Sequence, residues 1–452
     1  MQTNAYGFAA ARAAALASLI VVATPRGSLS AQTMEMADPL GIPMDRMGSG
    51  TTWIPDAAPL PARHWMARDW ALMLHGFAFV QEDKQGGPRG GSQLGSLNWG
   101  MFMASHSLAG GRFQARTMLS LDAAGVSNRG YPLLLQSGET YQSAPIHDRQ
   151  HPHDFFMELG ALYERPVTRG IGISIYAAPS GEPALGPVAF MHRPSAMDVP
   201  IAPLGHHWQD ATHISFGVLT AGVFAHDWRL EASAFNGREP DESRWDIDPL
   251  RLDSYSGRIS ITPSENWCFA GGYGFINSPE ALHPQVSIHR LTASVLYGAK
   301  IGSGQLASTL LWGANKPTNA DLTHSILAET EAMLGKSNTL IGRAEWMQKS
   351  AEDLALDLSG SGFTSNERFS VATLSAGYIR DFAQGRGATI GAGVIGTTNF
   401  VPTAIERQYG SRTPLGAMVF VRVHPLHSAE PTAPMGGMKM DHAMSMEARR
   451  HE

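Results

Sequence analysis

A chain of 452 residues, with 16% of them charged, 48 glycines and a formal net charge of −6, could form several soluble domains or one large closed sheet. No basic run or patch occurs, so nucleic acid is excluded as a partner. A single cysteine, Cys268, excludes an intramolecular disulfide framework and a cysteine-based structural zinc site.

Arg12 precedes an apolar run, Ala13–Ala23, that is too short to cross a bilayer as a helix and is followed by small residues. Residues 1–30 therefore read as a cleaved signal peptide. Residues 31–66 are rich in Pro, Gly and Met without a period, and read as a flexible lead-in. No later stretch approaches the ~20 consecutive apolar residues of a membrane helix, so any return to a membrane requires a barrel.

From Asp69 onward come segments of alternating residues about ten long, the length a tilted membrane strand needs. In chain order they are Asp69–Glu82, Leu97–Leu108, Gly111–Asp122, His153–Arg165, Gly170–Ala178, His213–His226, Asp227–Gly237 and Asp253–Thr262. Asn266–Ile276, Ser287–Lys300, Gly304–Asn315, Thr323–Gly335, Ser337–Lys349, Asn366–Asp381, Arg386–Thr397 and Thr413–His424 complete the series. About sixteen antiparallel strands over residues 67–425 predict an all-β, porin-like transmembrane barrel, and bacterial barrels use even counts.

Two patterns support closure. Connections alternate between long and tight, which places long loops on one rim, the extracellular one, and both termini on the other, periplasmic rim. Along three strands, Arg229 with Glu231, Glu329 with Glu331, and Arg343 with Glu345 oppose small or apolar residues. These six charges are expected to face a polar lumen.

Residues that could carry chemistry fall into two groups. The tail, 426–452, has no strand or core-helix pattern and reads as disordered, yet it concentrates Met435, Met438, Met440, His442, Met444 and Met446. Flexible thioethers with an imidazole among them suit copper(I) or silver(I), because soft ligands select soft ions. Met34, Met36, Met44 and Met47 lie ahead of the barrel. The second group is histidine in the two longest loops, 123–152 and 179–212, which are expected to narrow the lumen. His147, His151 and His153 stand in and just after one, and His192, His206 and His207 in the other, with His213 just beyond. Neutral imidazoles bind copper, zinc or nickel; otherwise such groups satisfy one another by hydrogen bonds. The Pro-broken polar cluster PIHDRQHPH is expected to be loop, not strand interior.

No catalytic residue and no cofactor is assigned, beyond copper or silver as a candidate ion. A lipid hydrolase built on Ser180 or Ser195 beside these histidines is the alternative from another class. A general-diffusion or structural barrel is the third. Expected partners are outer-membrane lipid, the barrel-assembly machinery and periplasmic metal carriers.

The stretch HDRQHPHDFFMEL, His147–Leu159, is similar to a motif of an uncharacterised family of bacterial outer-membrane β-barrels. The similarity continues through SGEPALGPVAFMHRPSA, Ser180–Ala196, and LGHHWQDATH, Leu204–His213. It implies an outer-membrane location rather than an activity. MDHAM, Met440–Met444, more faintly resembles the Met/His-rich segment of outer-membrane copper-resistance B proteins, which those proteins carry ahead of the barrel. Removing residues 430–452 is expected to lower the Cu(I) stoichiometry in a titration; an unchanged stoichiometry would take the tail out of metal binding.

Overall fold

The computed structural model describes residues 40–385 and 387–426. A short strand, β1 (Ala62–Ala67), precedes β2 (Trp70–Gln85), β3 (Gly91–Leu108) and β4 (Gly111–Leu119). A two-stranded ribbon, β5 (Tyr131–Tyr141) and β6 (Ala144–Gln150), then interrupts the wall. The wall resumes with β7 (Phe156–Pro166), β8 (Gly172–Gly181), β9 (Ser215–Phe224) and β10 (Trp228–Phe235). It continues through β11 (Ser254–Ser264), β12 (Trp267–Ile276), β13 (Ile288–Ile301), β14 (Gly304–Pro317) and β15 (Thr323–Leu334). The last strands are β16 (Asn338–Ser350), β17 (Arg368–Gly385), β18 (Ala388–Phe400) and β19 (Leu415–Pro425).

Wall neighbours pair antiparallel, with β4 joined to β7 across the ribbon. The last strand meets the first from Gly416↔Gln85 to Val423↔Ala78, which closes a barrel of sixteen strands. Each of the sixteen segments expected from the sequence is one of these wall strands. Tight turns such as 109–110, 265–266 and 302–303 lie on one rim, and 120–155, 182–214 and 351–367 on the other.

Closure satisfies the backbone, and alternation then sorts the side chains. Along β10, Leu230 is 54% exposed while Arg229 and Glu231 are buried. Ile326 and Trp346 likewise point out from β15 and β16, whose Glu329, Glu331, Arg343 and Glu345 are buried within. An exposed apolar exterior on a closed, internally charged sheet is the surface a bilayer covers. No described helix is long and apolar enough to cross a membrane.

The interior differs from a simple polar lumen. The inner faces of β2, β3 and β19 carry an apolar stretch, with Met73, Phe77, Phe79, Leu97, Trp99, Met101, Met103, Met418 and Phe420 in one buried cluster. Residues from Leu40 onward, expected to belong to a flexible lead-in, pack against them, with Ile42, Met44, Met47, Trp53, Ile54 and Leu60 buried. Arg229 donates to Thr51 O at 3.1 Å, Arg258 to Thr51 Oγ1 at 2.9 Å, and Cys268 to Trp53 O at 3.3 Å. This segment plugs the tight-turn end, because its apolar side chains find inside the barrel the surface they would otherwise expose to water. The tail methionines, Met34 and Met36 lie outside the described residues.

Strand β1 follows the plug and pairs with β2 from Ala62↔His75 to Ala67↔Trp70, beyond the point where β19 stops. Gly76 stands at that change of partner with φ +152°, and a Cβ there would lie 2.4 Å from Trp99 O. Only glycine fits this close backbone approach.

Loop 182–214 fills the middle of the barrel. Glu329 is the main fastening: Arg193 Nε reaches its Oε1 at 2.7 Å, Ser195 Oγ the same oxygen at 3.0 Å, and Arg343 Nε its Oε2 at 3.0 Å. Asp198 pairs with Arg422, and Gly205 N donates to Glu345 Oε2 at 3.2 Å. Replacing Glu329 by Ala leaves the buried Arg343 guanidinium without its carboxylate and Arg193 with Asp210 alone, a change worth about 3–5 kcal/mol. Hydrogen exchange is expected to show loop 182–214 losing protection in that variant while the wall strands keep theirs.

Candidate metal centre at the barrel mouth

Three of the predicted histidines converge. His151, His206 and His207, all buried, each offer a ring nitrogen within 4.8 Å of the others. A single helical turn, His206–Gln209, carries two of them on the return of loop 182–214. The wall holds that turn in place: Arg290 and Asn315 donate to His207 O at 2.7 and 3.0 Å, and Trp208 Nε1 donates to Thr323 Oγ1 at 2.7 Å. The third, His151, follows the end of β6.

The ribbon corrects one expectation, because His147, Asp148, Arg149 and Gln150 are strand residues. A two-stranded ribbon has two free edges, so Pro145 near its end breaks no ladder. Gly138 lets the ribbon approach the helical turn: its φ is +135°, and a Cβ would come within 2.2 Å of the His207 ring.

Each histidine of the trio turns Nδ1 toward an acceptor. His151 faces Pro152 O at 3.2 Å, His206 faces Asp210 Oδ1 at 2.7 Å, and His207 faces Glu239 Oε1 at 3.3 Å. An acceptor at Nδ1 fixes the proton there and leaves the Nε2 lone pair for a ligand, the arrangement that orients metal-binding imidazoles. His207 Nε2 is buried with no hydrogen-bond partner. His151 Nε2 lies 3.2 Å from Glu139 Oε1, two electron-rich atoms that a proton or a cation must reconcile. Burial, reinforced by Arg244, lowers the His151 imidazole well below its ordinary range. Burial also lowers His206 against the pull of Asp210. Both shifts favour the uncharged ring that ligation requires. Burial alone would raise the Asp210 carboxyl, but His206 and Arg193 outweigh it and hold it ionised.

The other predicted histidines are placed differently. His213 gives Nδ1 to Asp210 O at 2.8 Å, and its ring lies 5.1 Å from that of His206. His153 pairs with Asp122 Oδ2 at 2.7 Å and stacks edge-on with His213 at 5.4 Å. His147 stands apart, 2.9 Å from Arg89 Nη2 beside Asp148. The two serines weighed for a hydrolase are spent elsewhere: Ser180 Oγ donates to Phe156 O at 2.6 Å, and Ser195 Oγ meets Thr309 and Glu329. Sequence reading did not single out Glu139 or Glu239. Asp210, four residues after His206 on one turn, carried the one usable signal.

A cavity of about 600 Å³ at the long-loop rim reaches the trio at His207. Glu139, His207, Glu239, Glu280, Arg290 and Glu352 are among its walls.

No protein-family model matches the chain, and no curated protein matches its sequence. Among solved structures it is similar to Salmonella typhi OmpF in complex with daunomycin, at 9% identity and a TM-score of 0.50, over 80% of this chain and 100% of that one. It is also similar to an anion-selective porin from Comamonas acidovorans, at 10% identity and a TM-score of 0.47, over 78% of this chain and 99% of that one. OmpTdeltaL8, a loop-deletion mutant of an outer membrane protein of Vibrio cholerae, gives 8% identity and a TM-score of 0.47 over 78% and 99%. The likeness to OmpF is one of fold: the chain is a porin-like barrel of the outer-membrane type.

Proposed function

We propose that this barrel transports or sequesters a transition-metal ion at the outer membrane, and that His151, His206 and His207 are its capture site. The observation that carries this reading is the trio itself, with every Nδ1 facing an acceptor and one ring nitrogen of each histidine within 4.8 Å of the others. Imidazole nitrogens with carboxylates alongside suit Cu(II), Zn(II) or Ni(II). Glu139 lies beside His151, 3.2 Å from its Nε2, and is paired with Arg244.

A general-diffusion barrel needs an unfilled lumen, whereas here residues 42–60 and loop 182–214 occupy it. A plug and a fastened loop favour a gated route over free diffusion. In this reading the long loops face outward and the plug faces the periplasm, and on that side Met435, Met438, Met440, His442, Met444 and Met446 bind Cu(I) or Ag(I) as a separate soft-ion segment that exchanges the ion with periplasmic carriers.

Titration of the detergent-solubilised full chain with Zn(II) and Cu(II) is expected to show one site per chain at the mouth. His207→Ala and His151→Ala should each abolish it, and Asp210→Asn should weaken it about 10- to 100-fold, the effect of losing a supporting carboxylate. Unchanged affinity in both alanine variants would sink the proposal.

A further inference from the structure

Inside the barrel, away from the mouth, β2, β3 and β4 bring three inward residues into one row. The registers His75↔Met101 and Met101↔Met118 make them direct cross-strand neighbours, and all three are buried. Residues opposite each other on one face of a sheet have Cβ atoms about 5 Å apart. Met73 and Met103 form the next pair along the same face. Loop 182–214 lowers His192 onto this row, with its Nε2 3.1 Å from Met118 Sδ. The His192 ring centroid is 5.1 Å from that of His75 and 4.4 Å from that of Trp99.

The nitrogens here are unusual. Both ring nitrogens of His75 and Nδ1 of His192 are buried with no hydrogen-bond partner. Buried polar atoms are nearly always paired, and an exception calls for an explanation. We infer that a second ion site, for a soft monovalent cation of the Cu(I) or Ag(I) class, lies where His192 meets the row His75–Met101–Met118. Thioether and imidazole together select such ions over divalent ones. The Trp99 ring adds a face that attracts a cation at this range. The nearest fixed positive charge, Arg116, is already balanced by Glu158 at 3.0 Å.

The site shares no residue with the mouth trio, so it goes beyond the capture reading and can fail without it. It also accounts for methionine on a wall where leucine would pack equally well. Because His192 belongs to the loop and the other three to the wall, an ion held here ties loop 182–214 to β2–β4.

The test uses the full chain in detergent with Ag(I) as the probe. Bound silver is counted after desalting, tryptophan fluorescence reports on Trp99, and X-ray absorption reports on the atoms around silver. Met118→Leu and Met101→Leu keep the side-chain volume, and His192→Gln removes the imidazole. We expect wild type to hold silver in mixed nitrogen and sulfur coordination with quenched fluorescence, and each variant to lose one tight equivalent and the quenching. His206→Ala should keep both signals while losing Zn(II) at the mouth. Full retention of silver and quenching in all three variants would overturn the inference and leave the row as packing alone.

Discussion

A backbone amide or carbonyl facing hydrocarbon has no water to pair with, and that constraint shapes this protein before any side chain is considered. It forces sixteen strands to close on one another, β19 onto β2. It also fixes the period-two sorting that sends Leu230, Ile326 and Trp346 to lipid and Arg229, Glu329 and Arg343 inward. Closure on this scale leaves an interior too wide for wall side chains to fill. The chain fills it with segments of itself.

Two kinds of filling meet there. On the β2–β3 and β19 side, burial of methionine and aromatic surface holds residues 42–60. On the β13–β16 side, charge does the holding, with Glu329 set between Arg193 and Arg343. A paired charge inside a barrel gains no great stability over an apolar substitute, but it defines one position for the loop it grips. That precision extends to the trio, since His206 and His207 ride on the return of the same loop.

The wall was legible in the sequence because lipid on one side imposes strict alternation, and each of the sixteen segments became a strand. The lumen charges were legible for the same reason. The plug was not: Met44, Met47 and Trp53 follow no period, since an irregular segment packed in a cavity has none to follow. The ribbon was missed because a rule for strands inside sheets was applied to Ala144–Gln150, which has a partner on only one side. Among the loop histidines, chain proximity grouped His147 with His151, while space grouped His151 with His206 and His207. The row His75–Met101–Met118 depends on the register of three strands and has no signature along any one of them.

The seam has a mechanical consequence. Strand β1 is the covalent link between the plug and the wall, and its pairing with β2 is a hairpin whose open end, Ala62 against His75, is the end nearest the plug. Tension on the N-terminal side of the plug would load that hairpin from its open end, so its bonds would break in succession rather than together. The ladder between β19 and β2 begins beyond Gly76, so it is not part of that hairpin. The molecule thus carries a tear strip: a pull can draw the stopper out while the cylinder stays sealed.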